Sequence, residues 1–123
     1  MFVDREEWGM TLYIGFYTID PHFQRESGER ARSGDNTMDE RFGRKVVELR
    51  DRLPASLKLL GSYATQSAER PNIWLCETDN QADLQFVSNY YEGYLRFDWV
   101  PATVIGANAA ETEARRQASA ANR

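Results

Sequence analysis

Few residues of this 123-residue chain have the chemistry of a catalyst, and they are far apart in sequence. His22 is the single histidine and directly follows the first predicted strand. Because a histidine titrates near neutral pH, it is the candidate proton-transfer group, although a loop histidine without a chemical role is the simpler interpretation. Cys76 is the single cysteine. A nucleophilic cysteine would need a neighbouring base, so a small buried apolar residue is the simpler interpretation here.

Other chemical motifs are weak or missing. One histidine and one cysteine match no metal-ligand spacing, so the sequence predicts no metal site and no cofactor. Glu77 and Asp79 either act as a pair of carboxylates or serve the structure, with Asp79 at a helix start and Glu77 paired to an arginine. Neither a glycine-rich nucleotide-binding motif nor a G-x-S-x-G nucleophile motif occurs.

Aromatic residues and one arginine are the candidates for ligand binding. They lie in the predicted strands: Tyr13, Tyr17, Tyr63, Trp74, Arg96 and Trp99. Apolar walls with a few polar groups are typical of small-molecule pockets, but such aromatic residues also build cores and dimer contacts. Arg96 would need an anion if it faced an apolar interior, either a carboxylate of the protein in a structural ion pair or an acidic group of a ligand.

Four strands and two helices are predicted to position these residues. Apolar runs flanked by glycine and proline predict strands over residues 11–19, 57–65, 72–78 and 94–105. Apolar residues spaced by three or four predict a helix from Thr37 to Pro54 and another from Thr78 to Gly93. The segments TMDE and TDNQ resemble capping boxes in which the two threonines are the caps.

Local signals add detail to these elements. Gly61 predicts either a bulge in the second strand or a close backbone approach, and Pro101 predicts an edge position for the far end of the fourth. The first predicted helix carries one apolar stripe, formed by Met38, Phe42, Val46, Leu49 and Leu53.

The chain is predicted to be one domain, residues 11–105, with less regular parts around it. Residues 1–10 are an N-terminal extension, and translation starts either at Met1 or at Met10. Residues 21–36 are a long charged insert, expected as a polar excursion with a short helical piece. Residues 106–123 are an alanine-rich tail that is either frayed and partly helical or a helix that orders on a partner protein.

The element order βαββαβ predicts an α+β, ferredoxin-like fold, with a four-stranded antiparallel sheet and two helices on one face. The strands are nevertheless apolar on both sides. Residues expected on the side that the helices do not reach are Tyr13 or Leu12, Tyr63, Trp74, and Arg96 or Trp99. Because a monomer rarely exposes such a patch, the sequence predicts a homodimer whose two sheets close an α+β barrel.

Composition narrows the class of protein. Hydrophobic residues make up 41% and charged residues 28% of the chain, and the net charge is −4. The acidic balance argues against a nucleic-acid partner. No apolar run approaches the roughly 18 residues that a membrane helix needs, and the acidic start lacks a signal core. With one cysteine and no internal disulfide, we expect a cytoplasmic protein without a membrane partner.

The segments GSYAT, NIWLCETDN and YYEGYLRFDWVPATVI resemble the small domain-of-unknown-function 3303 family. Seven residues stand at the matching places: Gly61, Tyr63, Glu77, Thr78, Asp79, Phe97 and Pro101. The resemblance covers residues 11–105, most clearly 57–105. It implies the dimeric α+β-barrel fold and no assigned activity. The connection from the first strand to the first helix is longer here than the family pattern, so the insert is individual to this chain.

Three functions remain open at this level. The first is a homodimeric α+β-barrel protein that binds a small molecule or serves as an accessory protein. The second is a cofactor-independent oxygenase or isomerase acting on a small aromatic or enolic substrate, with His22 as acid or base and Arg96 as anion holder. The third is a docking module within a larger complex that uses residues 21–36 or 107–123 for its partner protein. The sequence alone leaves undecided whether the chain is an enzyme.

Overall fold

The computed structural model describes residues 10–103, 105 and 113–118. Three helices and four strands follow one another in the main part of the chain. They are β1 (Thr11–Ile19), α1 (Pro21–Arg32), α2 (Thr37–Glu48), β2 (Lys58–Tyr63), β3 (Asn72–Thr78), α3 (Gln81–Tyr90) and β4 (Leu95–Ala102). A 3-10 turn, Leu49–Asp51, extends α2, and residues 113–118 are helical. The predicted N-terminal extension and most of the predicted tail lie outside the described residues.

Helix α1 is the main difference from the sequence-based expectation. The sequence predicts a polar excursion with a short helical piece in the insert, but this segment forms a helix of 12 residues. Its start is well defined, because the Asp20 carboxylate accepts hydrogen bonds from the amides of His22 and Phe23. Pro21 occupies the first helical position, where a missing N–H costs nothing. The same Asp-Pro pair thus ends a strand and begins a helix.

Neither predicted capping box is present. The N-cap of α2 is Asn36, whose side chain makes no capping hydrogen bond, while the neighbouring Asp35 carboxylate accepts hydrogen bonds from the Thr37 amide and hydroxyl. At α3 the cap is Asn80, whose side-chain oxygen accepts from the Ala82 amide. Aspartate and asparagine accept from the free amides of a helix start as well as threonine does, so Asp35 and Asn80 rather than the two threonines bond to these amides.

The four strands form one antiparallel sheet in the order β2-β3-β1-β4. The pairing of β2 with β3 shifts between Leu59 and Gly61, which confirms the predicted bulge. β4 is an edge strand, and Pro101 lies near its end, as the sequence predicts. The structure is therefore an α+β domain built on a four-stranded antiparallel sheet.

The cross-strand register assigns every strand residue to one of two faces. Gly15 stands between Trp74 of β3 and Trp99 of β4, so these residues share a face. The helices pack on this covered face, where the central core residues are Leu49, Leu57, Trp74, Cys76, Leu84, Val87, Tyr91 and Leu95. The expectation that Trp74 lies beyond the reach of the helices is wrong, since its side chain is only 4% exposed among α3 residues. Tyr13 and Trp99 also belong to the covered face.

The opposite side of the sheet, called the open face below, carries no helix of the described chain and mixes apolar side chains with the charged Lys58, Glu77, Arg96 and Asp98. Its apolar members are Leu12, Ile14, Phe16, Tyr63, Ile73, Leu75 and Val100. Most of them are half-buried by their neighbours, whereas Tyr63 is 56% and Val100 is 38% exposed. Of the alternatives left by the sequence, Leu12 rather than Tyr13 and Arg96 rather than Trp99 lie on this side.

Within the described residues, every helix is too short or too polar to cross a lipid bilayer.

Two strand glycines offer a matched test of this packing. A Cβ at Gly15 would lie 2.5 Å from the Trp99 ring, which is held inside the aromatic core, whereas a Cβ at Gly61 would meet the exposed ring of Tyr63, which is free to swing away. We expect Gly15→Ala to cost about 1–3 kcal/mol, the usual range for overpacking, and Gly61→Ala to cost clearly less. Urea denaturation of both variants measures the difference. Equal losses would contradict the assignment of Trp99 to the covered face.

Candidate functional site

A cavity lies between α2 and the covered face of the sheet. Its volume is about 210 Å³. The walls come from all four strands and from α2 and the end of α3: Tyr17, Ile19, Phe42, Val46, Ser62, Asn72, Trp74, Tyr91, Leu95 and Phe97. Most of these side chains are aromatic or aliphatic, so the cavity offers an apolar environment with a small polar part.

Phe97 is the centre of the aromatic wall. Its ring stacks on Trp99 with centroids 4.8 Å apart and lies 5.2 Å from the Tyr17 ring. Trp74 and Tyr91 complete the wall, with centroids 6.1 and 5.9 Å from Phe97. Rings at such distances support one another in offset or edge-to-face arrangements, so this wall is preorganised by its own contacts.

Trp99 supports the wall from behind. Its ring lies over the bare backbone of Gly15, and its indole N–H donates a hydrogen bond of 2.9 Å to the Ser88 hydroxyl of α3. The indole is therefore held by the sheet on one side and by α3 on the other. Because Phe97 stacks on this fixed ring, the cavity wall is rigid at the level of β4.

Polar groups gather at one end of the cavity. The Tyr17 hydroxyl and the Ser62 hydroxyl are 3.4 Å apart, and Asn72 stands opposite Tyr17 in the sheet. Burial raises the pKa of the Tyr91 phenol to about 12, so this group stays neutral at physiological pH. None of the described lining residues is charged. The arrangement can therefore orient a neutral or weakly polar molecule by hydrogen bonds.

Helix α2 closes the cavity only loosely. None of its residues is fully buried, although its apolar stripe predicts contact with the sheet. Phe42 packs on Phe23, Tyr91 and Tyr94, whereas Val46, one turn later, remains 46% exposed beside the cavity. At Val46, the apolar stripe of α2 thus faces the sheet across an open space.

The structure separates the predicted ligand-binding residues into two groups. Tyr17 and Trp74 line the cavity, and Trp99 and Tyr13 lie on the same face without lining it. Tyr63 and Arg96 lie on the open face. Arg96 donates a hydrogen bond of 3.2 Å from Nε to the Asp20 carboxylate, which confirms the structural ion pair as one of its two predicted roles.

His22 is not part of the cavity. It lies in the first turn of α1, its side chain is 74% exposed, and its nearest partners are Glu26 at 3.8 Å and Arg25 at 3.3 Å. No cavity-lining residue is among these partners. His22 is thus an exposed helix residue and not the expected loop residue, and its surroundings do not support a proton-transfer role at the cavity.

The single cysteine has a structural role. Cys76 is fully buried, and burial raises the pKa of its thiol to about 12. Asp83, which the sequence analysis does not single out, is buried and accepts hydrogen bonds of 2.6 Å from the hydroxyls of Ser56 and Thr78. These bonds tie the chain before β2 to the junction of β3 and α3. In the described part of the chain, no three His, Cys, Asp or Glu side chains are close enough together to hold a metal ion.

Of the ten residues that line the cavity, the sequence predicts only Tyr17 and Trp74 as ligand-binding. It assigns Phe42, Val46 and Tyr91 to the apolar sides of helices, and it gives no role to Ser62 and Asn72. The only available signal is the apolar stripe itself, which does not reveal whether the helix touches the sheet.

Comparison with protein-family descriptions, with curated proteins and with solved structures finds no match for this chain.

The junction of β1 and α1 predicts a pH-dependent stability. The hydrogen bond from the Phe23 amide, followed by the Arg96 side chain, lowers the pKa of Asp20 below its usual 3.8. A lowered carboxyl pKa stabilises the folded state above the unfolded pKa, and this contribution is lost as the pH falls through the folded pKa. Asp20→Asn should therefore lower the urea midpoint at pH 7, and the difference from the parent protein should shrink below about pH 4.

Asp98→Asn is the matched control for this experiment, because Asp98 is an exposed β4 carboxylate that makes no hydrogen bond or ion pair within the described residues. Its urea midpoint should follow that of the parent protein at both pH values. A pH-independent deficit in the Asp20 variant would show that the charge of Asp20 is irrelevant.

Proposed function

We propose that this protein is a homodimer in which each copy binds a small aromatic molecule in the cavity between α2 and the sheet. The observation that carries this proposal is the cavity itself: an apolar space walled by preorganised rings, with a few polar groups at one end. An aromatic ligand would find ring faces and edges on several sides, and the hydroxyls of Tyr17 and Ser62 would orient it.

The size of the cavity supports a ligand of one or two rings. Proteins rarely keep large apolar voids, and an engineered cavity of about 150 Å³ takes up benzene. The cavity here measures about 210 Å³. A ligand would also cover Val46, which is 46% exposed beside the cavity, and would give its side chain dispersion partners.

The dimer is proposed from the open face. Each large apolar side chain left in water forgoes about 1.5–3 kcal/mol, and the open face carries two exposed ones, Tyr63 and Val100, beside five that are half-buried. The same face of a second copy is the simplest cover, because two sheets pack face to face about 10 Å apart. We further propose that the fold is ferredoxin-like, as the strand order with β1 and β3 in the centre favours, and that the chain is a relative of the 3303 family.

The enzymatic alternative has less support. The described cavity lining includes only tyrosines as titratable groups. With its pKa raised to about 12, Tyr91 donates hydrogen bonds but does not remove a proton near neutral pH. A binding or accessory role needs no such base. The docking-module alternative draws on α1 and the tail, and only residues 113–118 of the tail are described.

A cavity-filling substitution tests ligand binding. Val46→Trp places an indole beside the cavity, whereas Val47→Trp places the same group on the solvent side of α2, where Val47 is 75% exposed. We expect naphthamide, a neutral bicyclic probe, to bind the parent protein and the Val47 variant alike. The Val46 variant should bind it at least about tenfold more weakly. Titration calorimetry measures the three affinities, and equal affinities for the two variants would place the binding elsewhere.

A charge in the middle of the open face tests the dimer. Ile14 stands between Leu75 and Val100 in the sheet, so Ile14→Glu would bury two carboxylates in the proposed interface. We expect light scattering to give twice 14.2 kDa for the parent protein and 14.2 kDa for the variant, with an unchanged circular dichroism spectrum.

Val47→Glu, on exposed α2, is the control and should remain a dimer. Trp99 is unsuitable for this test, because a charge there would damage the covered face and not the interface. A monomeric parent protein at micromolar concentration would refute the dimer and leave the binding cavity of the single copy untouched.

A further inference from the structure

A polar vestibule adjoins the aromatic cavity. It has a volume of about 320 Å³ and lies between the end of β1, the start of α1 and the loop from β2 to β3. Its lining residues are Tyr17, Thr18, Ile19, Gln24, Thr65, Ser67, Ala68, Arg70, Pro71 and Asn72. Three of them, Tyr17, Ile19 and Asn72, also line the cavity, so the two spaces share a wall at the polar end of the cavity.

The hydrogen bonds of the β2–β3 loop leave the vestibule rich in donors. The Asn72 side-chain oxygen accepts from the Thr65 amide at 3.0 Å, which leaves the Asn72 NH₂ group to donate elsewhere. The Ser67 hydroxyl oxygen accepts from the Glu69 amide at 3.2 Å and keeps its own hydrogen free. Each of these two side chains therefore uses one acceptor lone pair within the loop, and its donor hydrogens remain available to a ligand.

Arg70 is the only charged side chain in the described lining of the vestibule. No carboxylate of the described residues lies within 4 Å of its guanidinium, and Glu69 beside it forms no ion pair with it. A guanidinium with neighbouring neutral donors matches a carboxylate, whose two oxygens accept from the planar fork and from further N–H or O–H groups.

We infer that the ligand of this protein is an aromatic carboxylic acid, with its ring in the cavity and its carboxylate in the vestibule on Arg70. This inference rests on the proposed function, because it assigns the polar end of the same ligand. It also gives α1 a role in binding, since Gln24 of this helix is part of the vestibule lining. Helix α1 therefore bounds the vestibule on the side opposite the β2–β3 loop.

Two isosteric probes separate the inference from the proposed function. Naphthoate carries a carboxylate where naphthamide carries a neutral amide of nearly the same size. We expect the parent protein to bind naphthoate about tenfold more tightly than naphthamide, as a charge-assisted hydrogen bond to arginine implies. In Arg70→Gln this preference should vanish through weaker naphthoate binding, with the naphthamide affinity unchanged.

Arg44→Gln, which removes an exposed arginine of α2 outside the vestibule, is the control and should keep the preference. If naphthamide binds but naphthoate binds no more tightly, or if the Arg70 variant keeps the preference, the inference is wrong and the cavity proposal stands. If neither probe binds the folded protein, both proposals fail. Added salt should weaken naphthoate binding and leave naphthamide binding unchanged, which is a second readout of the same ion pair.

Discussion

The register between β1 and β4 is the constraint on which the rest of this structure depends. It places Gly15 opposite Trp99, and only a residue without a side chain leaves room for the indole there. A slip by one residue would exchange the two faces of β1 and would put Ile14 or Phe16 under the ring. Trp99 in turn holds Phe97 by stacking and α3 through a hydrogen bond to Ser88. The absence of a side chain at Gly15 therefore fixes the relative positions of the sheet, α3 and the aromatic wall.

The two faces of the sheet are unequal in how they are completed. On the covered face, α3 contributes the fully buried Val87 to the core, while α2 is held mainly by Phe42 and by the bond from the Tyr90 hydroxyl to the Lys45 carbonyl. The cavity is the space that this uneven packing leaves. On the open face no described helix contributes at all. The molecule therefore has one largely apolar cavity beneath α2 and one sheet face that no described helix covers.

Most of the strands can be predicted from the sequence, because alternation is a local property, and the two faces of β3 and β4 follow from it. Alternation does not decide which face the helices cover, since both are apolar, and this is why the sequence places Trp74 on the wrong side. Helix α1 is not predicted at its full length because its composition is polar and gives no clear apolar stripe, although the Asp20-Pro21 pair is a helix start signal. The cavity depends on how closely α2 approaches the sheet, a distance that no periodicity encodes.

Irregularities in the two edge strands, β2 and β4, disfavour the addition of further strands to the sheet. At one margin the bulge between Leu59 and Gly61 disturbs the ladder of β2, and at the other Pro101 lacks an amide hydrogen that a new strand would need. Lateral extension into a continuous ribbon is disfavoured at both margins. The association proposed above, through the open face of the sheet, would instead cover the apolar side chains in a single step. Growth into a fibre by edge-to-edge strand pairing is therefore disfavoured even while the open face is uncovered.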